Sequence, residues 1–294
     1  MQVPACYQKI KTSQRQTQRF KEFVNVAFLT TGLIVKLVTW NVNSLKVRLP
    51  QVLDWMALNQ PDFLCLQELK LDQDKFPLAA IEEAGYQAVW AGQKTYNGVA
   101  ILSKLPATEV VVNIPGFDDA QQRVISATYD TTIGSVRIVN AYCPNGQSLE
   151  SEKYPYKLAW YEAFHDWLSD TLSQHPQLAV LGDYNIAPAD ADVHNPDRWK
   201  GQVLVSEPER SAFQKLISLG LVDSFRLFDQ PEKTFSWWDY RLNGYKRNAG
   251  LRIDHVLLSK PLEKRCQSCV VDKAPRENTQ PSDHAPVVAQ LSVD

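Results

Sequence analysis

Several features that would place this chain in a specialised class are missing from its sequence. It has no uninterrupted run of about 18 apolar residues, roughly what a membrane-spanning helix requires. The N-terminus has no apolar block followed by small residues, so it does not resemble a secretory signal peptide. With 44% hydrophobic and 22% charged residues among 294, the composition is that of an ordinary globular protein. These features predict a soluble protein that is not secreted and has no membrane partner.

The sequence also has few cysteines and a small net charge. The five cysteines are odd in number and scattered, which argues against a disulfide framework and favours a reducing, cytoplasmic compartment. Cys266 and Cys269 are close in sequence but have no second pair at zinc spacing, so packed thiols are the favoured interpretation. The formal charge of −2 gives no overall attraction to nucleic acid. A polyanionic partner would therefore need a local basic patch or a bound metal ion.

The first 35 residues differ from the remainder of the chain. They carry five basic residues against the single acid Glu22, and the segment Gln8–Gln18 is polar and glutamine-rich without a helical or strand period. This composition predicts a disordered extension over residues 1–35 and one folded domain over residues 36–294. A basic arm that contacts nucleic acid and an organelle transit peptide are the alternatives.

Short strands and a few helices fill the domain. Ten strands are predicted from β-branched and aromatic runs: Leu33–Asn41, Pro61–Gln67, Gln87–Ala91, Val99–Leu102, Glu109–Ile114, Val124–Tyr129, Val136–Tyr142, Leu178–Leu181, Ile253–Leu258 and Ala285–Leu291. Four helices are predicted from apolar spacing and turn signals: Val47–Leu58, Phe76–Ala84, Glu152–Leu172 and Pro208–Leu219. A hairpin turn over Asp130–Ser135 excludes a strictly alternating parallel sheet. The sequence therefore predicts an α+β fold with mixed sheets and outer helices.

Polar side chains cluster where the apolar strands begin or end. These residues are Asn41, Asn43, Glu68, Asp183, Asn185, Asp283 and His284. Each alone is explained by the preference of asparagine and aspartate for turns. Together they indicate a site at one edge of a sheet, because acids and amides at strand ends converge there.

The residue types in this set restrict the chemistry of such a site. Carboxylate and amide oxygens without clustered thiolates or histidine pairs favour a hard cation such as Mg²⁺, with Mn²⁺ as a substitute, over zinc. Sites of this kind commonly act on phosphate esters, whose hydrolysis also needs a base for water and a donor to the phosphate. Asp183 and His284 are the candidates for those two roles.

Six segments carry a family resemblance. In chain order they are Thr39–Leu45, Leu66–Glu68, Asn97–Lys104, Gly182–Pro188, Leu251–His255 and Pro281–Pro286. In order and spacing they resemble the exodeoxyribonuclease III family of apurinic/apyrimidinic endonucleases, over about residues 36–292. Some of these motifs also occur across the wider endonuclease, exonuclease and phosphatase superfamily.

The resemblance implies a fold, an activity and a partner. The fold is a four-layered α/β sandwich like that of deoxyribonuclease I, with two mixed β-sheets flanked by helices. The activity is metal-dependent cleavage of the phosphodiester 5′ to an abasic site, with removal of nucleotides or blocking groups from 3′ ends. The partner is double-stranded DNA, especially abasic or 3′-blocked, and a monomer is the default expectation.

The resemblance also implies the metal ligands. Glu68 would be the main ligand, with Asp283 and the amides of Asn41 and Asn43 close to the ion. Asp183 and Asn185 complete the metal-binding set. Some relatives carry aspartate where this chain has Asn43, so the site holds one negative charge fewer.

Roles in catalysis are implied for five residues. Asp183 would orient or deprotonate the attacking water, and Asn185 would fix the phosphate or that carboxylate. His284 would face the phosphate while Asp254 orients its ring. Tyr142 would reach the phosphate region, and Asn145 follows it as a substrate-binding amide.

Aromatic and apolar residues near the C-terminus are implied to bind the substrate. Trp237, Leu251 and Ile253 would wall a pocket for a flipped-out sugar that lacks a base. Candidate contacts to backbone phosphates are Arg123, Arg198, Lys200, Arg241, Lys246, Arg247 and Arg252.

Two other functions remain as alternatives. A phosphatase or phospholipase of the same fold would act on inositol phosphates or phospholipid headgroups. A non-catalytic DNA-binding protein would have kept the fold and lost the reaction, although every matched catalytic position holds a competent residue. Fold analogy alone does not decide among them.

Overall fold

The computed structural model describes residues 34–294 of the chain. Fourteen strands lie in this part: β1 Ile34–Asn41, β2 Phe63–Gln67, β3 Gln87–Ala91, β4 Val99–Ser103, β5 Thr108–Val112, β6 Val124–Thr131, β7 Gly134–Tyr142, β8 Leu178–Asp183, β9 Leu221–Asp223, β10 Trp237–Trp238, β11 Gly250–Leu251, β12 Asp254–Ser259, β13 Cys266–Val271 and β14 Val287–Ser292. Because β1 begins at Ile34, the last two residues of the expected extension belong to the first strand. Residues 1–33 lie outside the described residues.

Twelve of these strands form two six-stranded sheets. The first sheet has the spatial order β13-β14-β1-β2-β4-β3, and the second has the order β5-β6-β7-β8-β12-β9. Each is mixed: β1 pairs in parallel with β2, and β7 pairs in parallel with β8, whereas their other pairings are antiparallel. The remaining strands, β10 and β11, form a two-stranded ribbon.

Six α-helices are described, three of them long enough to cover a sheet. They are α1 Leu45–Asn59, α2 Leu78–Glu83, α3 Lys153–Gln174, α4 Pro196–Trp199, α5 Glu207–Ser218 and α6 Lys260–Glu263. Short 3-10 turns lie at Gln73–Lys75, Asp190–Asp192, Ser224–Leu227, Arg241–Asn243 and Ala274–Glu277. Within residues 34–294, no helix has the length and apolar character needed to cross a membrane.

Three apolar clusters separate the four layers. One lies between the sheets and includes Leu37 and Phe63 from the first sheet and Ile138 and Leu181 from the second. Another packs α3 and α5 against the outer face of the second sheet, and a third packs α1 and α2 against the first. Alternating strand residues thus point to different clusters, as expected for sheets buried on both faces. The expected four-layered sandwich of two mixed sheets and flanking helices is confirmed.

Most of the predicted elements are present, with boundaries shifted by a few residues. The hairpin at Asp130–Ser135 joins β6 and β7 antiparallel, with Gly134 at a positive φ of 101°. Helix α1 starts two residues before the predicted Val47, and the amide of its first residue, Leu45, donates to the Leu69 carbonyl. Strands β9, β10, β11 and β13 were not predicted, and three of these are two or three residues long.

Candidate active site

Six strands bring the predicted site residues to one edge of the sandwich. Strands β1 and β2 run in parallel and end at Asn41 and Gln67, so that Glu68 follows directly. Strands β7 and β8 likewise end in register at Tyr142 and Asp183. Strand β12 runs antiparallel to β8 and starts at Asp254 opposite Asp183, and β14 starts beside the end of β1. The parallel pairs thus present their carboxyl ends at the same edge, where ligand sites commonly form.

Left-handed backbone turns shape this edge. Asn43, Glu68 and Asn185 have positive φ values of 44°, 53° and 49°. Such a conformation is costly for residues other than glycine and recurs at functional sites, where neighbouring bonds hold it in place. Here the Ser44 amide donates to the Glu68 carbonyl at 2.8 Å, and the Asn185 amide donates to Asp183 Oδ1 at 2.9 Å.

Two carboxylates from different sheets meet at the centre of the site. The Asn41 amide Nδ2 donates to Glu68 Oε1 at 2.8 Å and to Asp183 Oδ2 at 2.9 Å, so one side chain spans both. Tyr142 Oη also donates to Glu68 Oε1, at 3.0 Å. Burial, followed by the nearby charges of Glu68 and Asp183, raises the pKa of Tyr142 well above its usual value. The phenol is therefore a neutral donor beside the carboxylates.

A buried histidine–aspartate pair faces these carboxylates. His284 Nδ1 lies 2.9 Å from Asp254 Oδ2, and its Nε2 lies 3.8 Å from Asp183 Oδ2. Ser236 Oγ donates to Asp254 Oδ2 at 2.6 Å and fixes that carboxylate. Since a carboxylate accepts at Nδ1, the ring carries a proton there and directs Nε2 towards Asp183.

The charges in this group shift one another's pKa values. Burial raises the pKa of Asp183 to about 7; His284 opposes the rise and Asp254 adds to it. Burial alone would lower the pKa of His284, but Asp254 and Asp183 outweigh it and raise the value to about 10. A carboxyl group that ionises near neutral pH beside a protonated imidazole is suited to acid–base chemistry.

Asn145 and Asn185 form the next part of the site. Asn145 Nδ2 donates to Asn185 Oδ1 at 2.9 Å, and Asn185 Nδ2 donates to the Cys143 carbonyl at 3.0 Å. Asn185 is buried, whereas Asn145 is exposed at the rim. The Asn185 side chain is thereby fixed beside Asp183, and the remaining donor of Asn145 can face a ligand.

Three ligand atoms of the described residues lie close enough to bind one cation. One atom each from Glu68, Asp183 and His284 lie within 4.8 Å of one another. Asp283 is not one of these three: its oxygens accept from Asn43 Nδ2 at 2.9 Å and from Trp237 Nε1 at 3.0 Å. The two carboxylates fit a hard cation, since such ions prefer oxygen donors, whereas the Asn41 group between them is an NH2 that donates to both.

A lysine that the sequence reasoning did not single out completes this side of the site. Lys70 Nζ lies 2.8 Å from Glu68 Oε2 and 2.5 Å from Asn43 Oδ1. It places a positive charge against two of the predicted metal ligands. The available signal was its position two residues after Glu68, just beyond the segment Leu66–Glu68 that carries the resemblance.

The predicted pocket wall is assembled by the β10–β11 ribbon. Trp237 pairs with Leu251 in the ribbon and its backbone bridges that of His284, while its indole Nε1 donates to Asp283 Oδ2 at 3.0 Å. Leu251 and Ile253 are buried in a small apolar cluster that Trp237 packs against. Trp237 is half-buried and forms the accessible part of this wall, with the two aliphatic residues behind it.

One predicted phosphate contact is wrong. Arg252 is only 1% exposed and forms ion pairs with Asp192, at 2.6 Å, and with Asp223, at 2.8 Å. Its guanidinium therefore holds the loop after β8 against β12 and cannot reach a phosphate. Arg123 is also buried and packs over the Tyr142 ring. The exposed basic candidates are Arg198, Lys200, Arg241, Lys246 and Arg247.

Comparison with known proteins agrees with this geometry. Residues 38–284 match the model of the Endonuclease/Exonuclease/phosphatase family. Exodeoxyribonuclease III of Haemophilus influenzae is 36% identical over 266 residues, covering 87% of this chain and 100% of the relative.

Solved structures share both the fold and much of the sequence. The 3′ phosphatase NExo from Neisseria, bound to a product DNA hairpin, superposes with a TM-score of 0.85 at 47% identity, covering 88% of this chain and 99% of that one. An AP endonuclease from Archaeoglobus fulgidus superposes with a TM-score of 0.82 at 38% identity, covering 87% and 98%. The chain therefore belongs to the endonuclease/exonuclease/phosphatase family, in its exodeoxyribonuclease III branch, and is a metal-dependent DNA nuclease.

Proposed function

We propose that the chain is a magnesium-dependent DNA repair enzyme acting on damaged duplex DNA. It hydrolyses the phosphodiester 5′ to an abasic site and removes nucleotides or blocking groups from 3′ ends. The observation that carries this proposal is the buried His284–Asp254 pair facing Asp183. Relatives named as an exodeoxyribonuclease, a 3′ phosphatase and an AP endonuclease support these three activities.

Each catalytic side chain has a role that follows from its contacts. Asp183 accepts a proton from the attacking water and orients it, with Asn185 and Asn41 holding the carboxylate. His284, protonated because of Asp254, donates to a phosphate oxygen and supplies positive charge. Asn145 offers a further donor to the phosphate, and Tyr142 offers one when its hydroxyl turns from Glu68 Oε1 to the phosphate.

Glu68 and Asp183 are the carboxylates that would hold Mg²⁺, with Asn41 between them and His284 at the boundary of the group. The ion, when bound, supplies positive charge to the phosphoryl oxygens and the leaving 3′ oxygen. Asn43, Asn185 and Asp283 complete the proposed metal region; Asn43 and Asp283 are hydrogen-bonded to each other at its rim.

The surroundings of the site suit DNA that lacks a base. Trp237 offers an indole face beside His284, where an extruded sugar can pack in front of Leu251 and Ile253. The adjacent segment 239–248 exposes Arg241, Lys246 and Arg247, which can bind backbone phosphates without reading sequence. Free thiols at Cys65, Cys143, Cys266 and Cys269 support a reducing cytoplasm.

The test is cleavage of a labelled duplex that contains one abasic-site analogue, beside an intact duplex, in Mg²⁺ and then in chelator. We expect a metal-dependent nick 5′ to the analogue, and shortening from the 3′ ends of both duplexes. A duplex with a 3′ phosphate tests the removal of blocking groups. Absence of cutting with any divalent metal by the folded protein, together with hydrolysis of inositol phosphates or phospholipid headgroups, would contradict the proposal.

The dependence of kcat/KM on pH should have two limbs. Activity should rise as Asp183 ionises near pH 7 and fall as His284 loses its proton near pH 10. A bound divalent cation favours the carboxylate, so the rising limb should move to lower pH in metal-loaded protein. Asp254→Asn should move the falling limb to lower pH, because Asp254 raises the pKa of His284. An unchanged falling limb in that variant would contradict the assignment to His284.

A further inference from the structure

A buried ion pair lies directly beneath the site loops and has no part in the chemistry described above. Lys157, on α3, and Glu209, at the start of α5, are both 0% exposed, with Nζ 2.5 Å from Oε1. The same ammonium donates to the backbone carbonyl of Asn185 at 2.7 Å and to that of Asn145 at 3.1 Å. All three of its protons therefore have acceptors.

The carboxylate of this pair binds the far end of the loop that follows β8. Glu209 Oε1 accepts from the Leu204 amide at 2.9 Å, and Oε2 accepts from the Ser206 amide at 3.0 Å and the Ser206 hydroxyl at 2.5 Å. The pair consequently connects the loop after β7, the turn after β8 and the start of α5. These segments come from three separate parts of the chain.

The Lys157 ammonium holds the backbone turns at Asn145 and Asn185 in their present conformation. Asn185 has a left-handed φ of 49°, and its amide, carbonyl and side chain are bonded to Asp183, Lys157 and Cys143 respectively. A side chain at Gly146, which has a φ of 89°, would approach the Lys157 Cδ to 3.1 Å, so the turn packs closely on the lysine stem. Loss of the ammonium would free both carbonyls together.

Stability is a weak explanation for such a pair. Burying two charges carries a desolvation penalty that their attraction often fails to repay, and apolar replacements are frequently neutral or stabilising. We propose that Lys157, paired with Glu209, is a positioning residue that sets the orientation of Asn145 and Asn185 and through them that of Asp183. This proposal rests on the proposed function of those three residues.

The test compares a neutral replacement of the pair with a matched change elsewhere. Lys157→Met with Glu209→Gln removes both charges and leaves one oxygen acceptor, which can serve the Ser206 amide and hydroxyl but not the Leu204 amide as well. Arg137→Met is the control, because Arg137 is a buried cation that also donates to a backbone carbonyl, that of Glu109 at 2.6 Å. It lies in the first half of β7, five residues from Tyr142, which is roughly 17 Å along the strand.

We expect the double variant to lower kcat for the abasic duplex by about 10- to 100-fold, with KM near the wild-type value. Hydrogen exchange of segments 143–147 and 184–188 should be faster than in wild type. Arg137→Met should change neither quantity when both proteins are assayed well below their unfolding temperatures. Lys157→Gln, which removes the charge and keeps a donor, replaces the double variant if that fails to fold.

Wild-type kcat and unchanged exchange in a folded Lys157 variant would overturn the proposal, and so would equal losses in the Arg137 control. If the wild-type protein cuts no DNA, the proposed function fails by itself. The exchange measurement then still decides whether Lys157 holds the two turns.

Discussion

Replacing Asp183 with asparagine should abolish nearly all cleavage while leaving the fold and DNA binding in place. Asparagine has the same shape and can still accept from Asn41 or from the Asn185 amide, which now contact the two carboxylate oxygens. It cannot take a proton from water, so kcat should fall about 10²- to 10⁴-fold, the usual range for losing a general base. Single-turnover cleavage of the abasic duplex measures this loss.

The same variant provides a test of whether the loss is chemical. Its affinity for the uncut duplex, measured by fluorescence anisotropy, and its unfolding temperature should remain close to wild type. Asp130→Asn, at an exposed position in the β6–β7 hairpin, is the matched control and should retain full activity. A comparable loss of DNA affinity in Asp183→Asn would assign the residue to binding instead of proton transfer.

The location of the site was predictable because each polar residue marks the end of an apolar strand. Asn41, Glu68 and Asp183 follow strands whose own sequence sets their length, and parallel pairing then brings their ends together. The pairing of His284 with Asp254 came from the family resemblance. No local pattern connects two residues that lie 30 positions apart, and the contact exists only because β12 and β14 belong to facing sheets.

The sequence does not show which side chain will be buried by ion-pair or hydrogen-bond partners from distant segments. Arg252 was a candidate phosphate contact because it is basic. Its carboxylate partners come from Asp192 and Asp223, and together they bury it. Lys157 is a second example. In the sequence it is an ordinary polar residue of a predicted helix, and it is buried because the turns at Asn145 and Asn185 pack over it and accept its hydrogen bonds.

Some short or irregular strands were not predicted because their sequences carry too little periodic signal. The ribbon of β10 and β11 has two residues per strand, too few to show a period of two. Strand β13 is an edge strand with exposed and half-buried positions, so its apolar signal is weak, and a register shift interrupts it after Cys266.

Replacing Glu68 with glutamine should separate metal binding from folding. Glutamine keeps an oxygen that accepts from Asn41 and Tyr142, whose donors lie 2.8 and 3.0 Å from Oε1, and removes only the charge. Since the bound cation supplies several kcal/mol of stabilisation to the transition state, cleavage should fall by about 10³-fold. Titration with Mn²⁺ followed by its electron spin resonance measures the accompanying loss of metal affinity.

Asp62 offers the matched control for this change. It lies at the opposite end of β2, is half-buried, and faces Lys104 at 3.8 Å, much as Glu68 faces Lys70 at 2.8 Å. Asp62→Asn should therefore leave turnover and Mn²⁺ binding unchanged even if it lowers the unfolding temperature. Because Lys70 loses its carboxylate partner in Glu68→Gln, its ammonium is freed to approach the DNA, and affinity for the duplex should be retained or increased. Undiminished magnesium-dependent turnover in Glu68→Gln would remove this residue from the metal site and leave Asp183 as its principal carboxylate.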